Sequence, residues 1–204
     1  DHIPIVVYNN PQIPSRIDAV INNDESPLDA LIYSAKQLEK MNVEFIVIPC
    51  HTAHFWYDKL VQEINTPIIS MIDITFETLE NNPQFLNKNV LLLASPATIV
   101  TKIYQNKFAN SNVNLLIPSE IEQKTVTQLI LDVKKGIIPP TKALDQLKII
   151  LKEYAKNGTI GVIGGCTEIP LVFPYLNNDM VKIDPTLELA KKVIDLKTKQ
   201  KTKI

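Results

Sequence analysis

The chain has 204 residues, 45% of them hydrophobic and 21% charged, with a formal net charge of −1. A chain of this length makes one domain or two small ones, and its apolar content is that of a globular protein with a buried core. The near-neutral charge removes the electrostatic case for nucleic acid, no apolar stretch reaches the roughly 18–20 residues that span a bilayer, and two cysteines make no disulfide framework.

Short apolar runs alternate with longer segments of helical spacing. Strands are predicted at 3–8 ("IPIVVY"), 43–49 ("VEFIVIP"), 67–71 ("PIISM"), 89–95 ("NVLLLAS"), 113–118 ("VNLLIP"), 159–165 ("TIGVIGG") and 180–183 ("MVKI"). Between the first two, Leu28, Leu31, Ile32, Ala35, Leu38 and Met41 recur at helical spacing. Ser26-Pro27 is read as that helix's cap and first residue, with Asp29 completing a capping box. Ser119 and Glu122 repeat the box before "IEQKTVTQLILDVKKG", and Asp184-Pro185 opens the last helix. The basic end "LKTKQKTKI" reads as a solvated terminus. Strands alternating with helices predict an α/β protein of parallel sheets wrapped by helices.

The two cysteines, Cys50 in "VIPCHTAH" and Cys166 in "VIGGCTEIP", share a local setting. Each ends an apolar run, and each is followed within two residues by a threonine placed to cap a helix, Thr52 or Thr167. In a parallel sheet this puts both at the carboxyl edge, where α/β proteins bind ligands. A helix N-terminus would lower the pKa of a cysteine beside it.

Several chemistries use such residues. Both cysteines can be small buried hydrophobes. Cys50, His51, His54 and Cys166 can be weighed as zinc ligands, but no paired C-x-x-C is present and three of the four fall within five residues. A cysteine hydrolase leaves the second cysteine idle, and a disulfide requires the two strand ends to touch. Racemisation uses both symmetrically: one thiolate removes a proton from one face of a carbon while one thiol returns a proton to the other.

"PCHTAH", "GGCTEIP" and "YNNPQIPSR" resemble the pyridoxal-phosphate-independent aspartate/glutamate racemase family, most closely its aspartate racemase branch. The resemblance covers nearly the whole chain. It implies two similar α/β domains with the active site in the cleft between them, placed here at 1–88 plus 189–204 and at 89–188. It implies a homodimer, no metal or other cofactor, and an amino-acid or dicarboxylate substrate, in a protein expected to be cytoplasmic, with neither a nucleic-acid nor a membrane partner.

By the same resemblance Cys50 and Cys166 are the catalytic acid/base pair, and Arg16 in "QIPSR" contacts substrate carboxylates. Thr52 and Thr167 bind the substrate beside each cysteine. Ser95 and Thr98, in "LLASPAT", are substrate contacts, Lys134 in "VKKG" is a second basic residue near the site, and Glu168 orients its loop. His54 is read as structural support.

The chain departs from the family pattern at four places. His51 stands where asparagine follows the first cysteine, which adds a titrating group to the substrate-binding set. Ala97 replaces a loop glycine, and Ser15 replaces a common aspartate. The family's N-terminal strand and its Gly-rich turn have no counterpart, so a segment preceding Asp1 is expected. A glutamate racemase, a maleate isomerase and a non-catalytic dicarboxylate-binding protein are the alternative functions.

Overall fold

The computed structural model of the protein describes residues 2–137 and 140–201. Helices α1 (Arg16–Ile21) and α2 (Leu28–Lys40) precede strand β1 (Ile46–Val47); α3 (Tyr57–Glu63), β2 (Ile68–Ile69) and α4 (Met71–Glu80) complete the first unit. The second runs β3 (Asn89–Ala94), α5 (Pro96–Val100), α6 (Ile103–Lys107), β4 (Asn114–Leu116), α7 (Glu120–Lys134), α8 (Lys142–Lys156), β5 (Thr159–Gly165) and β6 (Val181–Ile183), before α9 (Pro185–Lys201). Each unit is a parallel sheet flanked by helices. The first pairs β1 with β2 only, and the second has the order β4-β3-β5-β6.

The central strands β3 and β5 are buried almost throughout, as the "VLLLA" and "GVIGG" runs require of strands covered on both faces. Alternate residues serve opposite faces. Leu91, Leu93 and Val162 pack with α7 and α8, whereas Val90, Leu92, Ala94 and Ile163 pack with Phe85, Tyr104 and Phe108. A separate cluster of Leu31, Ala35, Ile46, Trp56, Leu60 and Ile68 forms the core of the first unit. Met71, Ile74 and Leu189 pack together, joining α9 to α4.

Two capping signals are realised. Ser119 and Glu122 form the reciprocal box at the start of α7, and Asp184 Oδ1 accepts from the Thr186 and Leu187 amides at the start of α9. Helix α2 differs from its prediction. Pro27 is its cap residue, Ser26 Oγ accepts from the Leu28 amide, and Asp29 makes no box. Residues 3–8 form no strand: Pro4 lacks a ladder donor, and Ile5 and Val7 are 74% and 80% exposed. The basic end lies on α9 up to Lys201, and residues 202–204 fall outside the described residues. Among the described residues no helix is long and apolar enough to cross a membrane.

Candidate active site

The carboxyl edges of β1, β3 and β5 converge on one cleft of about 220 Å³. It is lined by Arg16, Cys50, His51, Thr52, Ser95, Lys134, Cys166, Thr167 and Glu168, with Ser15, Ile17 and Pro49. The two cysteines, from different sheets and 116 residues apart, therefore face the same space. That space is smaller than the ~300–1,000 Å³ of pockets for drug-sized ligands, which restricts it to a small molecule.

Cys166 follows the double glycine that ends β5, and the glycines are there for space. A Cβ on Gly165 would lie 2.5 Å from Leu92 Cδ1 and 2.9 Å from Ala94 Cβ, both on β3. A Cβ on Gly164 would lie 2.8 Å from two atoms of the Pro170 ring. The cysteine thus leaves a strand pressed closely against its neighbour. Its S–H donates to Glu168 Oε2 at 2.8 Å, and the Thr167 hydroxyl donates to the same oxygen at 3.1 Å. Lys134, at the end of α7, places Nζ 3.8 Å from Glu168 Oε1.

Burial pushes the Cys166 thiol up, and the hydrogen bond and charge of Glu168 push it further, to about 12, against the pull of Lys134. This corrects the expectation of a thiolate stabilised at a helix N-terminus. Cys166 precedes a turn and the 3₁₀ segment Pro170–Tyr175, and Thr167 bonds Glu168 instead of capping a helix. On the other side a 3₁₀ segment, Thr52–Trp56, follows Cys50, and Thr52 likewise makes no cap.

Thr52 joins a cluster of hydroxyls instead. Its Oγ1 lies 3.3 Å from Ser95 Oγ and 3.0 Å from Thr98 Oγ1, and those two lie 3.0 Å apart. Ser95 also caps α5. Thr52 and Ser95 line the cleft, whereas Thr98 is fully buried behind them. Thr98 therefore supports the two lining hydroxyls.

His54 is held at both nitrogens. Its Nδ1–H donates to the Cys50 carbonyl at 2.9 Å, and its Nε2 accepts from the Met71 amide at 3.1 Å. With both nitrogens engaged it tethers the Cys50 loop to α4 and has no lone pair left for a metal. Among the described residues no group of three or more His, Cys, Asp or Glu is arranged to hold one.

His51 is buried, and its Nδ1 lies 2.9 Å from the Tyr104 hydroxyl. Burial, with a smaller contribution from His54, lowers its pKa to about 3, so the ring is neutral. Arg16 opens α1 behind the Ser15 cap, and its Nη1 donates to the Ile13 and Pro14 carbonyls at 3.4 and 3.2 Å. One nitrogen of the guanidinium is thereby pinned to its own turn while the side chain lines the cleft.

Sequence reasoning assigned Glu168 to its loop alone, and the structure adds its contact with Cys166; the spacing of two residues was the available signal. Tyr104 was missed altogether. It lies 53 residues from His51, and no local pattern announces the pairing.

Comparison with known proteins gives the family and the fold. The Asp/Glu/Hydantoin racemase family profile matches residues 1–193. The chain is 31% identical over 195 residues to the broad specificity amino-acid racemase RacX of Bacillus subtilis, covering 95% of this chain and 82% of that one. Among solved structures it is similar to Picrophilus torridus aspartate racemase, with a TM-score of 0.77 and 31% identity over 91% of this chain and 75% of that one. A glutamate racemase from Francisella tularensis in complex with D-glutamate shares the fold, with a TM-score of 0.67 and 21% identity over 85% of this chain and 66% of that one. The chain belongs to the Asp/Glu/hydantoin racemase family of isomerases.

Proposed function

We propose that this racemase interconverts L- and D-aspartate by direct proton transfer between Cys50 and Cys166, without a cofactor. The observation that carries the reading is the convergence of both cysteines on one small cleft that also holds two basic side chains and a single acid. Arg16 and Lys134 are the two cations in the cleft available to the two carboxylates of aspartate, and the neutral His51 adds no charge.

In the resting protein Cys166 holds its proton and is the acid, so Cys50 takes the role of base. The substrate α-C–H bond breaks, its proton passes to Cys50 Sγ, and its electron pair is delocalised onto the α-carboxylate. The Cys166 S–H bond then delivers its proton to the opposite face of the carbon, leaving Cys50 as thiol and Cys166 as thiolate. Glu168 accepts the Cys166 hydrogen bond in the resting state. For the roles to reset, the Cys50 thiol gives its proton to solvent water and the Cys166 thiolate takes one from solvent water. The carbon acid is weak, so donors aimed at the developing carboxylate charge must lower the barrier. Arg16, Thr52 and Ser95 are the donors at hand, while the Thr167 hydroxyl is engaged by Glu168.

Likeness to RacX supports a second reading, a broader amino-acid range at the same cleft. Glutamate racemase, maleate isomerase and simple dicarboxylate binding are distinguished by the same test. Purified protein incubated with L-aspartate in heavy water is expected to produce D-aspartate carrying solvent deuterium at the α-carbon. Binding of aspartate without α-proton exchange would overturn the catalytic reading. Exchange on alanine as fast as on aspartate would favour the broader range. A homodimer and the domain division at residues 88/89 and 188/189 are part of the proposal, tested by light scattering and limited proteolysis.

A further inference from the structure

Among the residues that line the cleft Glu168 is the only carboxylate, and its two oxygens are used unequally. Oε2 accepts from the Cys166 thiol at 2.8 Å and from the Thr167 hydroxyl at 3.1 Å. Oε1 has Lys134 Nζ at 3.8 Å, which is beyond hydrogen-bond distance, and among the described residues it accepts no hydrogen bond. The Glu168 side chain is 17% exposed and that of Lys134 is 41% exposed, so a mostly buried carboxylate keeps one oxygen short of donors. Such an oxygen is costly unless something that binds there uses its lone pairs.

An amino-acid substrate brings one group that can only donate, its α-ammonium. Burying that charge in a small cleft demands an acceptor. The hydroxyls of Thr52 and Ser95 are tied to each other and to Thr98, the Ser15 hydroxyl caps α1, and Thr167 is spent on Glu168. Cys50, as the base, must meet the α-hydrogen instead. A carboxylate oxygen makes a charge-assisted bond about twice as strong as a neutral acceptor would. Its position matters as much as its strength. The two oxygens of one carboxylate are neighbours, so an ammonium on Oε1 stands beside the thiol on Oε2. The ammonium nitrogen is bonded to the α-carbon, and the contact therefore sets that carbon next to Cys166 Sγ.

Resting on the racemase reading, we propose that Glu168 Oε1 binds the α-ammonium group of the substrate. Glu168 then makes the site demand a free amino group, and it registers the α-carbon against the thiol that delivers the proton. Arg16 and the loosely held Lys134 are left to serve the carboxylates. The cleft thereby discriminates amino acids from deaminated dicarboxylates of the same shape.

Calorimetric binding of L-aspartate and of succinate, which has both carboxylates and no ammonium, tests this. Wild-type protein is expected to bind L-aspartate roughly 10-fold or more tightly than succinate, the gain of one hydrogen bond between charged groups. Equal affinities overturn the proposal without need of any variant, and binding of neither ligand overturns it together with the racemase reading. Glu168→Gln keeps the size of the side chain and an acceptor oxygen for Cys166 and Thr167, but removes the charge. It is expected to weaken L-aspartate by roughly 10–100-fold and to leave succinate no weaker. Equal losses for both ligands, or no loss for either, assign the ammonium to another acceptor and overturn the proposal. Failure of wild-type protein to exchange the α-proton of aspartate overturns the racemase reading and leaves the comparison of the two ligands to decide the inference.

Discussion

The Cys166 thiol donates to Glu168 Oε2 at 2.8 Å, and this carboxylate helps the thiol to keep its proton. Cys166 sits beside an anion that disfavours its thiolate, and its pKa is raised to about 12 by burial first and by Glu168 second. Cys166 thus holds its proton in the resting protein.

Thiol alkylation reads that proton, because the thiolate is the nucleophile. At pH 8 iodoacetamide is expected to label Cys50 and to leave Cys166 nearly untouched, as peptide mass spectrometry would show. Glu168→Gln removes the charge that helps hold the proton, so labelling of Cys166 should begin at lower pH. Because burial is the larger cause, the onset should still lie above that of an ordinary thiol. Equal labelling of both cysteines in the unaltered protein would show that the proton is not held.

Arg16 gives a prediction about recognition. A hydrogen bond to a charged group is worth roughly 1.5–3 kcal/mol, so Arg16→Ala should lower kcat/KM for aspartate by about 10–150-fold. Arg16→Lys keeps the charge but loses the planar fork and its anchorage on the Ile13 and Pro14 carbonyls, and only part of the activity should return. A larger loss for aspartate than for alanine places Arg16 on the side-chain carboxylate. Equal losses place it on the α-carboxylate, and unchanged kinetics remove it from the site.

The double glycine before Cys166 gives a prediction about stability. In Gly165→Ala the new methyl group would meet Leu92 and Ala94, both fully buried, and the Leu93 carbonyl oxygen at 3.2 Å. Overpacking of this kind costs about 1–3 kcal/mol, a fall of roughly 2–12 °C in Tm for a chain of this size. At Gly161 the nearest atoms are side-chain carbons at 3.1 and 3.2 Å, so Gly161→Ala should cost less. Thermal unfolding of the two variants checks the order.

The Cys166 segment was legible because a buried parallel strand reads as an unbroken apolar run, and a residue just past it lies at the sheet edge. The strand before Cys50 is short and part-buried, and its apolar run alone marked it. The Ser119–Glu122 box and Asp184-Pro185 were legible because caps are local chemistry. Residues 3–8 misled because an apolar run has strand character whether or not a neighbour exists to pair with it, and pairing is tertiary. Thr98 was read with Ser95 as a substrate contact. Which of two hydroxyls three residues apart faces the cleft is settled by how α5 docks, and no spacing rule decides that. The Tyr104–His51 contact depended on the second unit presenting α6 to the Cys50 loop, which only the packed molecule reveals.

His51 gives the last prediction, a dependence of stability on acid. Burial holds its folded pKa near 3, while an unfolded histidine titrates near 6.5. Above about pH 6.5 neither state takes up the proton, and the stability of the neutral buried ring is fully present. As pH falls from there towards 3, the unfolded chain binds a proton that the folded protein excludes, so stability is lost by up to about 1.4 kcal/mol per pH unit. His54 is shifted in the same direction, mainly by burial, and adds to the slope. His51→Asn removes one titrating group and keeps a polar side chain beside Tyr104. Urea unfolding between pH 6.5 and 4.5 is therefore expected to show the unaltered protein losing stability more steeply than His51→Asn, by about one proton's worth of slope. Parallel pH dependences for the two proteins would mean that the ring takes up its proton in the folded state, and would place His51 in contact with solvent instead of buried in the cleft wall.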